Sequence, residues 1–95
     1  DIHPTEALLA QHLTVESRSA LTELAGEFAG LAEWQENAIA AAFDGVLKKH
    51  QLKMPKLAMP LRVVVFGQAQ TPSLYRVLAL AGRERVVGRL QRYAA

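Results

Sequence analysis

Arg62 stands five residues before Gly67 and nine before Thr71. The segment from Gly67 to Thr71, Gly-Gln-Ala-Gln-Thr, is short and polar, and Thr71-Pro72 closes it. Threonine is a good helix N-cap, and proline is tolerated at the first helical position. The N–H groups at such a helix start suit phosphate or base acceptors. Arg62 adds a planar fork of donors that pairs with phosphate or a base edge and stacks on a base. Further on, Arg85, Arg89 and Arg92 recur at helical spacing on one face. The chemistry within reach of these groups is the binding of anions and bases. Two plainer roles stay open: a salt bridge from Arg62 to acids elsewhere, and a simple solvated face for Arg85, Arg89 and Arg92.

No set of residues converges on catalysis. His3, His12 and His50 are scattered, without the spacing of a metal motif. Glu6, Glu16, Glu23, Glu27, Glu33 and Asp44 read as solvated helix faces. Ser17, Ser19 and Ser73 lack a nucleophile signature. The Gly67 loop has no Gly-Lys of a phosphate-binding loop. The chain has no cysteine, which excludes disulfides and thiolate metal sites. We therefore expect no catalytic residue, no metal site and no cofactor site.

The net charge of +2 conceals a division. Residues 1–45 hold eight acids and one base, a net of 1 − 8 = −7; residues 46–95 hold ten bases and one acid, a net of 10 − 1 = +9. That separation points to an anionic partner for the second half, or to opposite solvated faces of one fold. No apolar run reaches the ~18 residues of a membrane span, and no signal peptide is visible. We expect a cytoplasmic monomer with no membrane partner. The chain of 95 residues is the size of one domain and starts at Asp1 without an initiator Met, as an excised fragment of a larger protein would.

Helices must position these residues. Residues 4–12 suit a short helix start. Thr14 can cap a helix of roughly 15–30 that buries Leu21, Leu24, Phe28 and Leu31 and ends at Gly30. A further helix over about 35–50 carries Ile39, Phe43, Val46 and His50 on one stripe, with Glu36 and Lys48, Lys49 and His50 placed to suit its dipole. Trp34 before it reads as a packing anchor, with a stacking platform for a base as the other role open to it. Lys53 to Lys56 should break the chain. Residues 60–66 have the β-branched look of a strand, but nothing else reads as a strand to pair with it. They are therefore assigned to a short helix starting at Pro60 and ended by Gly67. The next helix starts at Thr71-Pro72, faces inward with Leu74, Val77, Leu78 and Ala81, and stops at Gly82. The last helix buries Val86, Leu90 and Tyr93. The expected class is all-α: a single compact bundle or cage of about five to six short helices over residues 1–95.

Lys56-Leu57-Ala58-Met59-Pro60-Leu61-Arg62, then Gly67, Thr71-Pro72-Ser73-Leu74, Val77 to Arg85 and Arg89-Leu90 together resemble the C-terminal anticodon-binding region of bacterial glutamyl-tRNA synthetases. The specific part spans residues 56–90; a looser likeness covers nearly the whole chain. The resemblance implies a helical, cage-like domain that reads a tRNA anticodon. Arg62, Thr71, Pro72 and Leu74 would meet anticodon bases, Gly67 would open their loop, and Arg85 and Arg89 would reach RNA. The implied partners are the tRNA for glutamate and the remainder of the synthetase chain. Such a parent enzyme would ligate glutamate to tRNA using ATP. The HIGH-like and KMSKS-like motifs of its catalytic domain are missing here, so this chain should be inactive alone. Two residues depart from the family pattern: Ser73 replaces a common Gly, and Phe66 a common Thr.

Two other readings compete with RNA binding. One is a helical protein-interaction domain whose basic face docks an acidic partner. The other is a helix-turn-helix DNA binder hinged at Gly82, but its second helix offers arginines without an early Asn or Gln, which favours phosphate gripping over base reading.

Overall fold

A computed structural model describes residue 11 and residues 13–67 and 73–94. Among the described residues five helices follow in order: α1 Val15–Ala29, α2 Glu36–His50, α3 Met54–Phe66, α4 Leu74–Ala81 and α5 Arg83–Ala94. The described residues form no strand. The helix start expected over residues 4–12 lies outside them, apart from Gln11.

α1 begins where its sequence asks it to. Thr14 is extended and its hydroxyl accepts from Ser17 N at 3.1 Å. Ser17 Oγ returns the bond, accepting from Thr14 N at 2.7 Å, so two otherwise unpaired N–H groups are satisfied. Gly30 follows the last residue of α1. The buried stripe Leu21, Leu24 and Phe28 faces α5, α2 and α3, while Leu31 is only half-buried. α2 packs Ile39, Phe43 and Val46 against this stripe and also meets α4.

α3 departs from expectation. It starts at Met54, with Lys53 extended before it, rather than at Pro60. Pro55 takes the N-terminal place that was assigned to Pro60, and Pro60 lies inside the helix. An internal proline loses one hydrogen bond and costs about 3 kcal/mol. Here the helix survives because Leu57, Ala58, Leu61, Val63, Val64 and Val65 are all buried, and each large apolar side chain contributes about 1.5–3 kcal/mol on burial. The Val63–Val65 run, strand-like by propensity, is held helical by that packing.

Gly67 ends α3 at φ 72°, ψ 13°, with its N–H on Val63 O at 2.9 Å. That left-handed cap suits glycine. α4 begins at Leu74, after Ser73, whose side chain makes no capping bond. The Thr71-Pro72 start expected for this helix lies outside the described residues. Gly82 turns the chain between α4 and α5 at φ 92°, ψ 147°, a backbone region almost confined to glycine. Val86 and Leu90 of α5 are fully buried and Tyr93 half-buried.

Candidate nucleic-acid interface

The C-terminal turn of α3 and the first turn of α4 flank residues 67–73. Arg62 lies on α3, half-buried. Its charge reaches Tyr75, the second residue of α4. Burial, aided by Asp44, pushes the Tyr75 hydroxyl above its ordinary value of 10.0, and the Arg62 guanidinium pulls the other way. Tyr75 is fixed in turn by an edge-on contact with Phe43, the ring centroids 5.7 Å apart. Leu74 is 4% exposed and belongs to the core. Its side chain therefore anchors α4 rather than lying open to a base. Phe66 is half-buried against the same core. Thr71 and Pro72 lie outside the described residues.

The structure divides the arginines of α5. Arg85 and Arg92 are exposed. Arg89 is half-buried, and its Nε donates to Val64 O at 3.0 Å. Tyr93 lies beneath both Arg89 and Arg92, whose guanidinium carbons are 5.6 and 5.2 Å from the ring centroid. Arg83 also turns inward: Nη2 donates to Leu31 O at 2.6 Å, and the guanidinium lies 5.8 Å from the Trp34 ring. Its Nε is buried without a hydrogen-bond partner among the described residues.

Trp34 is the anchor its position promised. Its ring meets Phe28 edge-on at 5.2 Å, and Nε1 donates to Leu78 O at 3.1 Å. Arg83, Tyr75 and the inward turn of Arg89 were not found by sequence reasoning. The partners Arg83–Leu31 and Trp34–Leu78 are 52 and 44 residues apart, and no local pattern signals them.

Two surface grooves lie elsewhere. One of about 610 Å³ carries the exposed Lys53 and Lys56 beside Thr14 and Ser17. Another of about 600 Å³ is apolar with Glu27 and Glu33 at its rim. Neither includes Arg62, Gly67 or Leu74. Reading of splayed bases relies on exposed edges and stacking surfaces, and needs no deep cavity. Among the described residues no three His, Asp or Glu side chains gather to hold a metal. None of the described helices is long and apolar enough to cross a membrane.

Known proteins match this chain over almost its whole length. The family described as an anticodon binding domain matches residues 2–94. A glutamate–tRNA ligase of Thiobacillus denitrificans is 54% identical over 90 residues, which is 95% of this chain and 19% of the ligase. The glutamate–tRNA ligase of Cupriavidus metallidurans is 57% identical over 84 residues, 88% of this chain and 18% of its own length. That of Aromatoleum aromaticum is 46% identical over 92 residues, 97% of this chain and 20% of its own. The chain thus spans about a fifth of the length of these relatives. An all-helical fold, a cationic second half and a match from residue 2 to residue 94 agree: the chain belongs to the anticodon binding domain family.

Proposed function

We propose that this chain reads the anticodon of the tRNA for glutamate as the RNA-binding part of a glutamate–tRNA ligase. The observation that carries the reading is the match to the anticodon binding domain family over residues 2–94, with half-buried Arg62 on α3 five residues before the Gly67 turn. The Arg62 charge acts on Tyr75 of α4 against the effects of burial and Asp44, and Gly67 ends α3 in a left-handed turn five residues after Arg62. Unpaired bases present hydrogen-bonding edges and π-faces, and a guanidinium next to a tight loop engages both. By the family resemblance, Thr71, Pro72 and Leu74 would add contacts to the bases. Arg85, Arg92, Lys53 and Lys56 are exposed and supply charge for phosphates. In the parent enzyme other segments join glutamate to the tRNA with ATP, while this one supplies affinity and selectivity.

The test is binding to an anticodon hairpin of glutamate tRNA and to the same hairpin with its anticodon scrambled. Saturable binding that favours the native anticodon and weakens steeply with salt is expected. Arg62→Ala should cost about 1–3 kcal/mol on the native hairpin and much less on the scrambled one. Equal affinity of the wild-type chain for both hairpins would contradict base reading.

A further inference from the structure

Arg89 looks from its spacing like one member of a phosphate-facing row. In the fold it does something else. Its Nε donates to the carbonyl of Val64, 25 residues earlier. Val64 is fully buried and lies in the last turn of α3, where carbonyls run out of intrahelical N–H partners. α3 carries no basic residue of its own in that turn. Arg89 brings a cation to the negative end of the helix from α5, and the Tyr93 ring lies beneath its guanidinium at 5.6 Å.

Val64 is two residues after Arg62 and three before Gly67. A helix end frays unless something holds it, and a binding group must stay within about half an ångström of its working position. We propose that Arg89 is a positioning residue for base recognition: it clamps the last turn of α3 and so sets where Arg62 points and where the loop departs. This rests on the anticodon reading. It gives Arg89 a part different from that of Arg85 and Arg92, which are exposed and touch phosphate if they touch RNA at all.

The two parts differ in salt dependence. A lost phosphate contact lowers the salt slope by about one, roughly equally for every sequence. A lost clamp leaves the slope alone and erodes discrimination. The experiment titrates the wild-type chain, Arg89→Met and Arg89→Lys with native and scrambled anticodon hairpins at several salt concentrations. Folding is checked by circular dichroism, and the Gly67 amide is followed by NMR. For Arg89→Met we expect about a tenfold loss on the native hairpin, the scale of one charge-assisted hydrogen bond. Little change is expected on the scrambled hairpin, with an unchanged salt slope and a shifted Gly67 amide. Arg89→Lys keeps a donor for Val64 and should restore most of the discrimination. A slope lower by one with discrimination intact would overturn the proposal, and so would discrimination that survives Arg89→Met. If Arg89→Met does not fold, Arg89→Lys decides: lost discrimination with an unmoved Gly67 amide overturns the clamp. Failure of the wild-type chain to discriminate would instead bring down the anticodon reading, and this proposal with it.

Discussion

Tyr75 feels two opposite charges, and that makes it a reporter on Arg62. Burial and Asp44 disfavour its phenolate, whereas Arg62 favours it. Removing the guanidinium should therefore raise the pH at which Tyr75 ionises. The measurement is an ultraviolet titration of Arg62→Ala against the wild type, with Tyr93→Phe in both so that Tyr75 alone is read. An unchanged titration would mean that Arg62 does not lie near the start of α4. Arg62 was legible in the sequence because its type and its distance from Gly67 both pointed to it. Tyr75 was not, because its importance comes from Asp44 and Phe43, which belong to another helix.

Helices α1, α3 and α4 share a feature: none has a basic residue in its last turn. Each receives a donor from elsewhere in the chain at or just beyond its C-terminal end. Arg83 donates to Leu31 O beyond α1, Arg89 to Val64 O in α3, and Trp34 to Leu78 O in α4. α2 carries its own Lys48, Lys49 and His50, and two of these reach across to α1. Lys49 Nζ and His50 Nε2 lie 3.2 and 3.3 Å from the same Glu23 oxygen. The Lys49 hydrogen bond holds the Glu23 carboxyl below its ordinary value of 4.5; burial opposes it, and His50 adds to the lowering. A depressed carboxyl stabilises the fold above its unfolded pKa and loses that contribution as the pH falls through its folded value. Glu23→Gln should thus be less stable than the wild type at neutral pH, and the gap should close as the pH falls below the ordinary carboxyl value of 4.5 and through the lowered folded one. Denaturant unfolding across pH 3–7 reads it, and a gap independent of pH would show that the Glu23 carboxylate adds nothing through Lys49 and His50. The limits of α1 were legible because Thr14 and Gly30 are local signals. The start of α3 was not. Pro60 gave a local cue that burial of its neighbours on both sides overrode. The three borrowed donors were hidden as well, being set by packing between distant segments.

Across the molecule, charge and fold divide the labour. α1 is acid-rich and α3 supplies the most buried residues, while ten of the eleven Lys and Arg follow residue 45 in the sequence. Helical class and charge asymmetry were both legible because they are sums over many residues. How the charges sort into inward and outward arginines was not, since Arg83, Arg85, Arg89 and Arg92 look alike until packing distinguishes them. The most direct measurement maps backbone amide shifts while the chain is titrated with the anticodon hairpin of glutamate tRNA. The control is an RNA of equal length and charge whose anticodon bases are paired in a duplex. We expect saturating shifts at Arg62, Gly67 and Ser73 to Tyr75 with the hairpin, and only weak, salt-sensitive shifts with the duplex. Shifts confined to α1 and α2, or the same pattern with both RNAs, would contradict recognition of unpaired anticodon bases at the junction of α3 and α4.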